Sequence, residues 1–283
     1  GDILVMYALC AFWVVSVRDW EPSKQAQLGL VLVSFPAVLY ILLGPGTSPG
    51  FWNVPQEALQ SQVETYQGGW LRQMDHRVET AFSQHTNTFF VQGFWRISGL
   101  MIFGMAAFKR GLLTNERDAG EYARLFAAGI LTGVPLVLAG VWYISSNGWS
   151  ADVALWWRPF NYFGAILVGF GYVGGLMLYL KRYSDSIVTR ALAAVGRTAF
   201  TNYLLQTVIA TTIFYGHGLG LFGTVSRTEQ MGIVVLIWAI QVPLSVLWLR
   251  RYRFGPIEWL WRTLTYGEVQ PMRLDSESSA SSE

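Results

Sequence analysis

The 283-residue chain is 52% hydrophobic and only 13% charged, with a formal net charge of +2. An ordinary soluble domain carries roughly 25% charged residues, so this composition excludes water as the main solvent of the chain. The small net charge, with Lys and Arg dispersed into short clusters, excludes a nucleic-acid surface, and the single cysteine, Cys10, excludes an intrachain disulfide.

A membrane-spanning helix needs roughly 17–25 apolar residues. Seven runs approach that length: 2–17, 28–43, 89–108, 125–144, 160–180, 191–215 and 231–249. They predict an all-α fold, a polytopic transmembrane helix bundle of about seven spans within one domain over 1–274. Cytoplasmic loops are enriched in Lys and Arg. Here 18–27, 109–124, 181–190 and 250–283 hold 14 basic residues, whereas 44–88, 145–159 and 216–230 hold 4. The alternation predicts a multi-pass protein with its C-terminus in the cytoplasm and Gly1 outside. Because the chain opens at Gly1 on an apolar run, it is expected to be a piece of a longer protein.

In chain order, the first long connection, 44–88, is expected to be extracytoplasmic. It opens "GPGTSPGFWNVPQ" and continues in a pattern of short helices. Trp70, Leu71, Met74 and Val78 lie at the spacing of one apolar face, which suits an amphipathic connector on the bilayer surface as well as a lid. His76 and His85 lie in the same connection. Arg96, in "GFWRISGL" of the third span, is a costly intramembrane cation. It reads either as a side chain reaching for the headgroups or as part of a polar site. Gly129 with Gly133 and Gly171 with Gly175 are spaced four apart, as close helix packing requires.

The sixth run carries the largest polar concentration. On a continuous helix Thr198, Asn202 and Gln206 form one stripe at i, i+4 and i+8, flanked by Arg197 and Thr201. Two readings stand: a substrate-facing face, able to hold a carboxylate, a phosphate or a sugar hydroxyl, or hydrogen bonds between neighbouring helices. The "YGHGLGLFG" segment that follows contains Gly216, His217, Gly218 and Gly220. Its GxGxxG spacing follows a membrane helix rather than a strand and lacks the acidic residue about 20 positions later, so it reads as a flexible outer turn and not a dinucleotide site. No P-loop, HExxH or CxxC motif occurs, and no metal site is expected.

In "RRYRFGPIEWLWRTLTYG", Gly255 ends the seventh span and Pro256 opens a helix over 255–266. Ile257, Leu260, Trp261 and Leu264 mark its apolar side, and Glu258 with Arg262 an i, i+4 pair on its polar side. The pattern predicts a cytoplasmic interfacial helix anchored by Trp259 and Trp261. The tail "DSESSASSE", 275–283, is acidic and Ser-rich and reads as disordered.

"GDILVMYAL", "YQGGWLRQMDHRVE", "VGRTAFTNYLLQTVIATTIFYGHGLGLFG" and "FGPIEWLWRTLTYG" together resemble the YeiB-like bacterial membrane proteins, a family named for its unknown function (domain of unknown function 418). The resemblance spans nearly the whole chain. It implies a protein of the bacterial plasma membrane with further spans upstream, distantly related to membrane acyltransferases that modify sugars and envelope polymers. Those enzymes typically use a histidine and an arginine near their N-terminal helices, which this chain lacks, so the resemblance assigns no catalytic residue. Positions matching its recurring motifs are Asp2, Arg197, Asn202, Gln206, Gly216, Gly218, Glu258 and Arg262. The expected activity is acyl (acetyl) transfer, with acyl-coenzyme A as donor and an envelope saccharide or lipid-linked acceptor. The alternatives are a transporter or flippase for a small or lipid-linked solute, and a non-enzymatic scaffold or sensor. The expected partners are the lipid bilayer and a small-molecule or envelope-polymer substrate, not nucleic acid.

Overall fold

A computed structural model describes residues 3–43 and 54–274. Asp2, the opening of the outer connection at 44–53 and the tail 275–283 lie outside the described residues. Apart from one isolated bridge between Tyr252 and Arg273, the regular structure among the described residues is helical, as the apolar runs predict.

The helices are α1 (Ile3–Val14, ending in a tight turn Val15–Val17), α2 (Pro22–Leu43), α3 (Gln56–Gln67) and α4 (Trp70–Ser83). A π-helical segment, Gln84–Gly93, joins α4 to α5 (Phe94–Lys109). Then follow α6 (Ala119–Ser146), α7 (Ala151–Arg182), α8 (Ile187–Arg197), α9 (Ala199–Phe214), α10 (Arg227–Trp248) and α11 (Pro256–Tyr266). Among the described residues, four helical stretches are long and apolar enough to cross a membrane: Trp70–Lys109, Ala119–Ser146, Trp156–Arg182 and Arg227–Trp248. Their outward surfaces keep large apolar side chains exposed, among them Leu131, Trp142, Tyr172 and Trp238, as expected where lipid is the solvent.

Two expectations change. The outer connection does not stop where a span begins, because α4 runs through the π-helical segment into α5 as one 40-residue helix. The sixth run is not one helix either: it is broken at Thr198 (φ −114°, ψ 25°) into α8 and α9.

The chain divides into two compact units, Gly1–Leu59 with Met74–Arg182, and Gln60–Gln73 with Tyr183–Glu283. In the first, α2 packs on α5 and α6 on α7. Val14, Val17, Leu32 and Ile102 form a buried cluster, and the Trp13 indole N–H donates to the Ser98 hydroxyl at 2.9 Å. The α6–α7 pair is close because its glycines leave room. A Cβ on Gly129 would lie 2.5 Å from the Gly171 backbone, and one on Gly174 2.6 Å from the Phe126 amide. Without a hydrophobic driving force in lipid, such backbone approach supplies the packing energy.

In the second unit, α8 packs on α10 and α9 on α11. A capping box opens α10, with the Ser226 hydroxyl accepting from the Glu229 amide at 3.3 Å and Glu229 from the Ser226 amide at 2.6 Å. After α10 the chain turns so that residues 251–253 run antiparallel to 272–274, the Arg253 amide donating to the Met272 carbonyl at 2.9 Å.

Candidate functional site

In the second unit the Thr198, Asn202, Gln206 stripe faces α10, and its side chains bond there. The Asn202 amide group donates to the Thr198 hydroxyl at 3.0 Å and to the Ser245 hydroxyl at 2.9 Å. Thr198 lies 3.1 Å from Ser245 and 3.0 Å from the Ala194 carbonyl. Gln206 donates to the Gln241 side-chain oxygen at 2.8 Å, and Gln241 donates in turn to the Asn202 carbonyl at 3.0 Å. Thr198, Asn202, Gln241 and Ser245 are all buried. Both donors of the Asn202 amide are thereby committed to protein partners, which is the interhelical reading of the stripe. Gln241 and Ser245, the partners on α10, were not foreseen. Their i, i+4 spacing within an apolar run was the available signal.

The break at Thr198 leaves the first amides of α9 without helical acceptors. Glu258 of α11 supplies them: one carboxylate oxygen accepts from the Phe200 amide at 2.7 Å and the Thr201 amide at 3.0 Å. The other accepts from the Thr201 hydroxyl at 2.5 Å. That hydroxyl in turn accepts from the Ile257 amide at 3.1 Å, in the first turn of α11. Two helix N-termini therefore cap one another, and a carboxylate sits where both dipoles favour negative charge. Gly255 makes this possible, since a Cβ there would lie 2.1 Å from the Glu258 carboxylate and 2.6 Å from the Thr201 hydroxyl.

The expected pairing of Glu258 with Arg262 therefore does not form. Glu258 is held on α9, while Arg262 stacks over the Phe254 ring with 4.5 Å between guanidinium carbon and ring centroid. Arg197 is exposed and donates to the Arg253 carbonyl at 2.8 Å. Trp259 is tied to the C-terminal segment through its indole N–H, 2.7 Å from the Gln270 carbonyl, whereas Leu260, Trp261 and Leu264 stay exposed.

The glycine turn is pinned rather than flexible. The amides of Leu219 and Phe222 fold back to the Thr212 and Phe214 carbonyls, each at 2.8 Å, so the turn satisfies the carbonyls at the end of α9. Gly216 donates to the Tyr66 carbonyl at 2.9 Å, and Tyr66 packs between Tyr215 and Phe222. Cβ atoms on Gly216 and Gly218 would lie within 2 Å of backbone carbonyls, and Gly220 is left-handed at φ +66°. His217 is exposed and meets the Trp70 ring edge-on at 5.3 Å. These contacts account for the spacing without a nucleotide.

In the first unit, Arg96 lies three residues after the π-helical segment, a local geometry frequent at functional sites. Its guanidinium carbon sits 4.7 Å over the Tyr162 ring, and the Tyr162 hydroxyl donates to the Val33 carbonyl at 2.9 Å, which fixes the ring. Arg96 lines a cavity of about 260 Å³ with Gln92, Trp157, Arg158 and Asn161. None of the described lining residues is acidic. Arg and the Trp indole are donors only, while Gln92 and Asn161 carry both donors and acceptors. Arg158, Trp157 and Asn161 were not foreseen, because they stand at the end of a span where headgroup-anchoring residues are ordinary. Among the described residues no cluster of His, Cys, Asp and Glu could hold a metal ion.

Membrane-length apolar helices, with an arginine-lined cavity beside them, define a polytopic helical membrane protein. The chain belongs to the family described as "Protein of unknown function (DUF418)", whose model matches residues 107–268. It is 30% identical to "Uncharacterized protein YeiB" of Escherichia coli (strain K12), over 96% of this chain and 71% of that protein. It is also 30% identical to "Uncharacterized protein YxaH" of Bacillus subtilis (strain 168), over 96% of this chain and 68% of that protein. A 39.9 kDa protein of Bacillus acidopullulyticus is 35% identical over 41% of this chain and 32% of its own length. No solved structure matches.

Proposed function

We propose that the protein is a membrane-embedded acyltransferase that moves an acyl (acetyl) group from acyl-coenzyme A to a hydroxyl of an envelope saccharide or lipid-linked acceptor. In this reaction the acceptor oxygen bonds to the acyl carbon, the thioester bond breaks, and the hydroxyl proton leaves with the coenzyme A thiol. The observation that carries the reading is Arg96, held on Tyr162 in a cavity it shares with Arg158 and the Trp157 indole. Donors preorganised in a water-poor site stabilise the oxyanion that develops on the acyl carbonyl. Its setting is the bacterial plasma membrane, with the basic loops and the C-terminus in the cytoplasm and Gly1 outside. The exposed face of Leu260, Trp261 and Leu264 then rests α11 on the cytoplasmic leaflet.

The test is thiol release from acyl-coenzyme A by the purified full-length protein, with and without envelope acceptors. Turnover should fall on Arg96→Gln in a folded variant. Absence of binding and turnover with every acceptor refutes the reading.

One observation favours transport or flipping instead. Discontinuous helices line the sites of many transporters, and the sixth run is interrupted at Thr198. The N-terminus of α9 exposed by that break is already taken by Glu258, so the break leaves no open anion site, and acyl transfer is preferred. Solute flux that collapses on Asn202→Leu or Gln206→Leu in a stably folded protein would reverse the preference.

A further inference from the structure

Beside the polar cavity the first unit holds a second, apolar one. Helix α5 packs chiefly on α2, and α7 on α6. Between α5 and α7 a groove of about 370 Å³ stays open, walled by Leu100, Phe103, Ile166 and Phe170. On α5 the lining positions 96, 100, 103, 104 and 107 share one helical face, as do 162, 166, 169 and 173 on α7. Arg96 lines both cavities, so the groove begins at the site of the proposed transfer. From Arg96 to Ala107 it follows roughly 16 Å of helix, and Phe103 meets Phe170 edge-on at 5.9 Å along it. Gly104 and Gly169 line the groove, and a Cβ on either meets nothing within 4 Å. They answer no packing demand of the kind that Gly129 and Gly174 meet, and they leave the groove wide.

Three features select the occupant. Apart from Arg96 the described lining is apolar, so hydrocarbon fits it. A further helix, roughly 10–12 Å across, would take on the order of 1,200 Å³ over the same length, well beyond what the groove holds, whereas a single hydrocarbon chain is thin enough. The length suits one leaflet, since half of a bilayer's hydrocarbon core is about 15 Å deep. The polarity runs as it does in an outer-leaflet lipid: with the basic 109–124 connection in the cytoplasm, as proposed, the polar cavity lies toward the outer side and the groove runs inward from it. A soluble saccharide would use the cavity and leave the groove empty. A long acyl chain on the donor would have to point back toward the side from which acyl-coenzyme A arrives.

We infer that the groove seats the hydrocarbon chain of the acceptor, which makes the substrate of the transfer a lipid-linked saccharide and not a soluble one. The inference rests on the proposed acyltransferase reading and names its acceptor class. The chain lies past Gly104, and the saccharide stands at the cavity end, where Gln92 and Asn161 carry both donors and acceptors suited to sugar hydroxyls. The attacking hydroxyl oxygen bonds to the acyl carbon as the thioester bond breaks, and its proton leaves with the thiol. Arg96 stays with the acyl oxyanion, because the chain makes no claim on it.

Acceptors with one head and different tails test this. The full-length protein in phospholipid nanodiscs would be given acetyl-coenzyme A with methyl, octyl or dodecyl glucoside, and kcat/KM read from thiol release. It should rise at least tenfold from the methyl to the dodecyl glucoside. In Gly104→Phe that preference should shrink by about tenfold or more, the discrimination expected when an apolar pocket loses room. Gly169→Phe repeats the test on α7, and circular dichroism monitors folding of each variant. Partition of each glucoside into the bilayer is the same for every variant, so a change in preference reports the groove. Binding is read without acyl-coenzyme A, using a dodecyl glucoside with a diazirine at its chain end. Its photolabel should fall on the groove walls of the unmutated protein, be displaced by excess dodecyl glucoside but not by methyl glucoside, and drop in both phenylalanine variants. Equal use of methyl and dodecyl glucosides overturns the inference and leaves the transferase reading standing. So does a preference that persists in both folded variants, or labelling that excess dodecyl glucoside cannot displace, which marks ordinary bilayer lipid. A preference for palmitoyl- over acetyl-coenzyme A that Gly104→Phe abolishes overturns it in favour of the donor's chain. Displaceable groove labelling with no transfer to any acceptor keeps the chain site and overturns the transferase reading alone.

Discussion

The reciprocal cap between α9 and α11 sets up a quantitative test. Thr201→Val keeps the side-chain shape but deletes the hydroxyl that donates to Glu258 and accepts from the Ile257 amide. Glu258→Ala removes the acceptor for the Phe200 and Thr201 amides as well. Hydrogen bonds to a charged group contribute about 1.5–3 kcal/mol, and loss of a helix cap costs about 0.5–2 kcal/mol. Glu258 is only half-buried, so water replaces part of what it supplies. The expected cost is about 2–4 kcal/mol for Glu258→Ala and about 1–2 kcal/mol for Thr201→Val. The Thr201–Glu258 bond is lost in both, so the double variant should fall short of the sum by about 1 kcal/mol or more.

Global stability would be read by tryptophan fluorescence during denaturation in mixed micelles, and the local effect by hydrogen exchange at the Phe200 and Thr201 amides. Those two amides should lose protection in Glu258→Ala before the rest of α9 does. Additivity within about 0.5 kcal/mol would refute the reciprocal cap, because residues that share no interaction behave independently. Unchanged exchange at Phe200 and Thr201 would refute it even if the protein were destabilised as a whole.

Gly255→Ala places a methyl 2.1 Å from the Glu258 carboxylate; a loss of about 1–3 kcal/mol is expected from the resulting displacement, with the same loss of protection at the two amides. Asn202→Leu removes two bonds to buried hydroxyls and should destabilise the α9–α10 pair by about 1–2 kcal/mol, since interhelical bonds in membranes average about 0.6 kcal/mol each. Its coupling to Ser245→Ala in a double-variant cycle tests the pairing. Gly129→Leu drives a side chain into the Gly171 backbone, 2.5 Å from the first added carbon; misfolding or a loss above about 3 kcal/mol is expected, seen as a collapse of the monodisperse chromatographic peak. Tyr162→Phe should cost about 1 kcal/mol through loss of the Val33 bond, while Tyr162→Leu should in addition lower acyl-transfer turnover, because the ring under Arg96 is lost.

The helical class and the amphipathic α11 were legible because apolar length and period report the solvent each face meets. The break at Thr198 was not. Local sequence there reads as uninterrupted helix, and the interruption is stabilised by a carboxylate 57 residues away in sequence, a long-range contact that no local pattern reports. The same cause hid the fate of Glu258. Its i, i+4 relation to Arg262 was visible, whereas two backbone amides and a hydroxyl on another helix are stronger partners for a carboxylate than one exposed guanidinium. Gln241 and Ser245 were readable as a pair in an apolar run, but only their facing helix gives them meaning.

The distribution of satisfied and unsatisfied polar groups shifts attention within the molecule. In "GRTAFTNYLLQ" the buried donors and acceptors close on Ser245, Gln241 and Glu258, so a substrate there would have to displace protein bonds of equal quality. Such sites specify how helices assemble. At Arg96 the balance differs: the Trp157 indole N–H is buried without an acceptor among the described residues, no described carboxylate lines the cavity, and an aromatic ring rather than an ion pair supports the arginine. A charge in an apolar helix costs several kcal/mol unless it is compensated. Among the described residues it is the Tyr162 ring, not a carboxylate, that supplies this compensation to Arg96.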